Sequence, residues 1–229
     1  MARKVRSFPP HLAGSCLRYA AMDLLGFGRR LDADTRSRMA AGSAWHKTFM
    51  LELAEGGGLL AAEAPMRDPG MGVSGRADAL LRSPSGQVTV VEYKTVNPDR
   101  FSAIRAAGEP PLGFMAQLAL YLEITHYPSG RLVIDSREEM RRRLQFALPW
   151  PNELGGWVRE RVVRARGWAE EGKLPPREVG SHCLGCDRWE RCYKSVEERE
   201  AAVAEEPAWT PFPPLPRVEA LHVEGEDVS

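Results

Sequence analysis

The chain has 229 residues, 43% of them hydrophobic, with 31 basic and 31 acidic side chains and a formal net charge of zero. That length predicts one domain with a real core, and no apolar run approaches membrane-spanning length or follows the basic N-terminus as an export signal would. A protein without membrane spans, working in the cytoplasm, is expected. The neutral total hides an asymmetry. Residues 195–229 carry nine acids and two basic residues, a net of −7, which leaves +7 on residues 1–194. A basic body with an acidic tail suits a phosphate-bearing partner.

In chain order, residues 8–27 predict an N-terminal helix capped by Ser15, with Cys16, Tyr19, Ala20 and Leu24 on one side. A longer helix spans 33–55, starting near Asp34-Thr35 and stopped by Gly56-Gly57-Gly58. His46 lies within it, after Gly42-Ser43-Ala44-Trp45; a histidine there is either a satisfied core residue or a ligand. Residues 60–67 read as a strand containing Glu63. Two further strands, 73–82 and 87–96, flank the turn formers Ser83-Pro84-Ser85-Gly86. Asn97-Pro98 breaks the second. A short helix over 99–107 and a break at 108–111 lead to a strong helix at 113–126, where Gln117 and Tyr121 stand four apart on one face.

Strands at 131–135 and 143–148 precede a helix at 153–172, and a cysteine-rich loop follows. Basic residues gather at Arg141-Arg142-Arg143 and along Arg159, Arg161, Arg164 and Arg166. The second group reads equally as a phosphate-facing stripe or a solvated helix face. A charged helical patch covers 196–205. The proline-rich stretch after it predicts an extended tail that lies along the body through Trp209 and Phe212 or docks a partner. No repeats and no phosphate-binding glycine loop are present.

The stretch from Gly75 to Lys94 carries the clearest chemistry. Glu92 and Lys94 share one face of their strand, while Tyr93 points away. Asp78 sits on the strand before. Two carboxylates and a lysine among apolar strand residues are costly to bury without a task. A divalent cation satisfies both acids, and the lysine can hold or deprotonate a metal-activated water. Register is the difficulty. A regular four-residue loop pairs 82 with 87 and 78 with 91, which turns Glu92 away from Asp78. A shared cation requires a one-residue bulge or a five-residue loop, and that irregularity is predicted.

Four cysteines occur: Cys16, then Cys183, Cys186 and Cys192 within ten residues. In a large chain without an export signal such a set reads as metal ligands rather than disulfides. Zinc and iron–sulfur clusters both accept four thiolates. His182, beside Cys183, reads as a stray fifth candidate or a surface residue.

Asp78 followed by Glu92-Tyr93-Lys94 resembles the motif of the PD-(D/E)XK nuclease superfamily, although Ala77 stands where the motif has proline. The histidine in the earlier helix and the Gln117-x-x-x-Tyr121 pair are similar to those of its RecB-like exonucleases. The one-plus-three cysteine spacing resembles the iron–sulfur staple of the AddB nuclease and the CRISPR-associated exonucleases. The resemblance covers residues 8–194. It implies an α/β fold with a central mixed sheet flanked by helices, and a [4Fe–4S] cluster on Cys16, Cys183, Cys186 and Cys192 joining the two ends of a nuclease domain over 1–194. Residues 195–229 form the appended tail.

The same resemblance implies a metal-dependent DNA exonuclease acting on single-stranded ends, 5′ to 3′, in a bacterial, archaeal or phage-infected cell. Recombination, repair, phage DNA processing and CRISPR adaptation are the settings it suggests. Mn²⁺ or Mg²⁺ would be held by His46, Asp78, Glu92 and the Tyr93 carbonyl, with Lys94 orienting the attacking water. Gln117 and Tyr121 would contact DNA or brace the lysine. A DNA-end-binding adaptor with a protein partner, and a zinc-stapled restriction-type endonuclease, are the alternatives.

Overall fold

The computed structural model describes residues 4–28, 33–137, 142–206 and 209. The elements in order are α1 (Leu17–Leu24), α2 (Ala33–Glu55), β1 (Leu59–Asp68), β2 (Val73–Arg82), β3 (Val88–Val96), α3 (Pro98–Ala107), α4 (Leu112–Thr125), β4 (Ser129–Ser136), β5 (Arg143–Pro149), α5 (Glu153–Glu170) and α6 (Val196–Glu205). The strands form a five-stranded sheet in sequential order, antiparallel except for the parallel pair β3/β4. A parallel pair needs a crossover of a dozen or more residues, and α3 with α4 supplies it.

β3, VTVVEYKTV, is buried on both faces, which suits a central strand covered by helices above and below. On one face Val90 and Leu132 meet α4, α5 and the N-terminal segment in the main core. On the other, Val91, Tyr93, Ala79 and Val133 meet Phe49 of α2. α4 is apolar nearly all round and is buried from Met115 to Glu123, as expected of a helix enclosed by protein. Its Leu118, Leu120 and Leu122 are each fully buried, contributing about 1.5–3 kcal/mol apiece.

The ends of the elements follow their sequences with one exception. Asn97 caps α3, Asn152 caps α5 and Ser195 caps α6, each side chain accepting from a backbone N–H three residues on. The exception is α1. Cys16, not Ser15, occupies its N-cap and makes no side-chain cap bond. The carboxylate of Glu178 caps it instead, accepting from Leu17 N–H at 2.6 Å. Glu178 also receives both terminal nitrogens of the buried Arg161, at 2.9 and 2.8 Å. α1, α5 and the segment before the cysteine loop are thereby tied at one point.

Arg161 is one of four arginines that the sequence reads as a phosphate-facing stripe or a solvated helix face, and its burial fits neither. Arg159 pairs with Glu123 at 2.6 Å, Arg164 with Glu160 at 3.5 Å and Arg166 with Glu170 at 2.8 Å. The row is engaged with the protein's own carboxylates. Arg143 is committed inward as well, to Asp135 and Glu52. Arg141 and Phe212 lie outside the described residues. Trp209 of the tail does lie on the body, its ring 4.2 Å from that of His182.

Candidate active site

The loop between β2 and β3 has five residues, because Arg82 pairs with Val88. Ser83 organises it: its carbonyl accepts from Gly86 N–H at 2.9 Å and its hydroxyl from Gln87 N–H at 3.1 Å. Gly86 takes φ +86, a conformation open to glycine at little cost. The ladder ends at Ala79↔Val91. One more step along that register sets Asp78 opposite Glu92, on one face. The irregularity required by a shared cation is present, as the longer loop.

Beyond that last pair the Asp78 side chain takes over from the ladder. Its Oδ2 accepts from Tyr93 N–H at 2.7 Å. The N–H and C=O of a strand residue point to the same side, so the Tyr93 carbonyl aims towards the same gap between β2 and β3. Asp78 Oδ1 lies 2.8 Å from His46 Nε2. That hydrogen bond is the main reason the imidazole titrates above its ordinary value, with desolvation opposing it.

Glu92 is 1% exposed. Its Oε1 lies 2.5 Å from Lys94 Nζ, while its Oε2 is buried without a hydrogen-bond partner. Burial pushes the carboxyl up to about 7, against the pull of Lys94. Lys94 also donates to Gln117 Oε1 at 3.1 Å. Gln117 in turn donates to the Tyr121 hydroxyl at 3.0 Å, which donates to the Arg76 carbonyl at 2.5 Å. A chain of four groups thus runs from the ammonium to the backbone of β2. Tyr121 is 1% exposed, so it reaches Lys94 from inside the protein.

The donor set suits a hard cation. Ligand atoms at right angles around an ion with 2.0–2.1 Å bonds stand about 2.9 Å apart, close to the observed separation of His46 Nε2 and Asp78 Oδ1. The orphaned Glu92 Oε2 is the kind of buried acceptor that such an ion satisfies. Among the described residues no three His, Cys, Asp or Glu side chains are already closed around one point. His46, Asp78, Glu92 and Lys94 nevertheless line one cavity of about 910 Å³, together with Lys47 and Arg137.

Glu63 borders the same cavity. It falls in β1 between Ala62↔Ala79 and Ala64↔Ala77, level with Asp78. Its φ is +46, a left-handed conformation that costs a non-glycine residue on the order of 1–3 kcal/mol. Its carboxylate pairs with Arg76 at 2.9 Å, at the surface. On the other side of Asp78 the turn Pro10–Leu12 presses on β2. A Cβ on Gly75 would stand 2.5 Å from Pro10 Cδ, so the residue there has to be glycine.

Sequence reasoning misses several residues at this site. Lys47 and Arg137 line the cavity from α2 and from the end of β4. Phe114, on the first turn of α4, lies 5.6 Å from Lys94 Nζ and 5.2 Å from the Arg100 guanidinium. Its place three residues before Gln117 is the signal that would have found it.

The four cysteines are free of disulfides and line a second cavity, of about 490 Å³. Burial pushes the Cys16 thiol up to about 11 and raises Cys186 and Cys192 as well. Cys186 is raised further by Cys192 and Cys183, and Cys192 by Cys183. Cys183 Sγ lies 3.6 Å from His182 Nε2 and 3.7 Å from the Tyr193 hydroxyl. Four thiols lining one cavity are a donor set that a metal or cluster would take as thiolates, with release of their protons.

The mixed sheet with helices on both faces, and an acid on β2 opposite an acid-x-lysine on β3, define a nuclease-type α/β domain. The sequence profile of the PD-(D/E)XK nuclease superfamily matches residues 17–193, and the chain belongs to that superfamily. Among solved structures it is similar in fold to SSO0001, with a TM-score of 0.56 and 19% identity over 86% of this chain and 90% of that one. It is similar also to LHK-Exo, an alkaline exonuclease from Laribacter hongkongensis, with a TM-score of 0.57 and 11% identity over 72% of this chain and 89% of that one. A structure of LHK-Exo in complex with dAMP gives a TM-score of 0.56 at 13% identity. At these identities the likeness concerns the fold. No curated protein sequence matches the chain. No helix among the described residues is long and apolar enough to cross a membrane.

Proposed function

We propose that the chain is a metal-dependent DNA exonuclease acting on single-stranded ends, of the RecB-like type, with a [4Fe–4S] cluster as a structural staple. The observation that carries the reading is the orphaned oxygen of Glu92 beside the Asp78–His46 pair. His46 Nε2, Asp78 Oδ1, Glu92 Oε2 and the Tyr93 carbonyl would hold Mn²⁺ or Mg²⁺, the imidazole favouring Mn²⁺. When bound, such an ion supplies Lewis-acid stabilisation of the charge developing at the phosphate and activates water as the nucleophile.

The protein's own groups do the remaining work. Lys94 Nζ, held by Glu92 and Gln117, presents its free N–H to a water or a phosphate oxygen at the mouth of the cavity. Gln117 and Tyr121 brace that ammonium, so their contribution to DNA binding is indirect. Lys47, Arg100 and Arg137 supply charge for the backbone, and Phe114 offers a ring for base stacking. DNA affinity should fall with added salt. Cys16, Cys183, Cys186 and Cys192 would carry the cluster, far in sequence from the carboxylates. Cleavage from 5′ to 3′ and a cytoplasmic location belong to the same reading.

The test is a nuclease assay on 5′- and 3′-labelled single strands with Mn²⁺ or Mg²⁺, and Lys94→Ala as control. Loss of cutting in the variant supports the reading. Equal cutting by both proteins, or by neither, favours a DNA-end-binding adaptor.

A further inference from the structure

We infer that the pair of buried Asp135 and half-buried Arg143, on the sheet face away from Glu92 and Lys94, is a positioning clamp that sets where His46 stands against Asp78. The inference rests on the proposal that His46 is a metal ligand.

α2 carries His46. Among its described side chains Phe49 is buried, and Trp45, Met50 and Leu53 pack half-buried against the same cluster. Such apolar contacts are non-directional and leave a helix some freedom to roll or slide. Polar contacts restrict that freedom. Arg143 donates through Nε to Asp135 Oδ1 and through Nη2 to Asp135 Oδ2, both at 2.8 Å. The same Nη2 reaches Glu52 Oε2 of α2 at 2.9 Å. The Tyr93 hydroxyl donates to Asp135 Oδ2 at 2.9 Å.

The rings complete the device. The Arg143 guanidinium lies 5.0 Å from the Phe49 ring. Phe49 stacks on Tyr93 at 4.2 Å and 9°. The His46 imidazole meets the Tyr93 ring edge-on at 6.0 Å. His46, Phe49 and Glu52 recur every three residues, on one side of α2. Tyr93, between Glu92 and Lys94, therefore serves both faces of the sheet. Its backbone N–H orients Asp78, and its side chain links β3 to α2 and to Asp135.

Asp135 is 6% exposed. A buried ion pair is a poor source of net stability, and its best-attested use is to fix one geometry among several. Here the geometry fixed is that of the helix carrying the imidazole.

The experiment measures Mn²⁺ binding by calorimetry on the full chain for wild type, Arg143→Gln, Asp135→Asn, His46→Ala and the His46→Ala/Arg143→Gln double variant. Circular dichroism checks folding. Arg143→Gln and Asp135→Asn should each raise the Mn²⁺ Kd about tenfold, the lower end of what supporting residues around metal ligands contribute. Activity at saturating Mn²⁺ should largely return. Arg143→Gln should add nothing once His46 is gone. If Arg143→Gln does not fold, Glu52→Gln unhooks α2 at the surface and should shift Kd in the same direction. A lowered Tm with unchanged Kd, or effects that add in the double variant, overturns the clamp. If His46→Ala itself leaves Mn²⁺ binding unchanged, the assignment of His46 as ligand fails, and the clamp with it.

Discussion

Replacing Glu92 with glutamine should stabilise the metal-free protein above neutral pH while abolishing its activity. Glu92 is buried, and its carboxyl titrates near 7 in the folded chain instead of 4.5. Between those values the folded state binds more protons than the unfolded one, so stability falls as pH rises through the window and stays low above it. The interval corresponds to about 3 kcal/mol at pH 8, or about 6–12 °C in Tm for a chain of this size. Glutamine resembles the protonated acid, so the variant escapes the penalty. The assay is thermal unfolding in EDTA at about pH 4, below the unfolded-state value, and at about pH 8. Wild type and Glu92→Gln should unfold nearly together at the lower pH and diverge at the higher, with the variant higher. Millimolar Mn²⁺ should raise the wild type towards the variant, because a ligand that binds only the folded state stabilises it. Equal unfolding at pH 8, or a less stable variant there, would refute the claim that an unsatisfied carboxylate is held in place for a cation.

Gln117→Leu removes the support of Lys94 without opening a cavity and should lower the rate about 10–100-fold, with DNA affinity nearly unchanged by fluorescence anisotropy. Glu178→Gln leaves Arg161 buried and poorly paired and should cost about 3 kcal/mol, read by denaturant unfolding. Burial raises the Glu178 carboxyl, but the hydrogen bonds from Arg161 and the Leu17 N–H, with the nearby charges of Arg161 and Arg164, together hold it below its ordinary value. Its contribution is therefore present above pH 4.5 and is lost as pH falls through the lower folded value. Cys186→Ser should remove the absorbance near about 400 nm expected of thiolate-bound iron; colourless wild-type protein that retains zinc would assign the cysteines differently.

The central strands were legible in the sequence because their constraints are local. Alternation in Val88–Val96 puts Glu92 and Lys94 on one face, and loop arithmetic requires a bulge or a five-residue loop for Asp78 to face Glu92. Gln117 and Tyr121 were legible for the same reason, as a helix sets residues four apart side by side. What the sequence concealed are pairings made across the fold. Nothing near Leu17 announces that its N–H will be capped by Glu178, 161 residues away. Arg159 and Arg161 look like a basic stripe until α4 and the segment after α5 bring Glu123 and Glu178 against them. Arg143 reads as part of a basic cluster and Asp135 as the end of a strand, and only the packing of α2 over Tyr93 gives them a shared task. Backbone strain at Glu63 has no sequence signal, since glutamate rarely takes positive φ.

The most direct measurement is anomalous diffraction at the manganese edge from crystals soaked in Mn²⁺. A peak within about 2.0–2.3 Å of His46 Nε2, Asp78 Oδ1 and Glu92 Oε2 is expected. A peak bound elsewhere, or none there at millimolar Mn²⁺, would contradict the account.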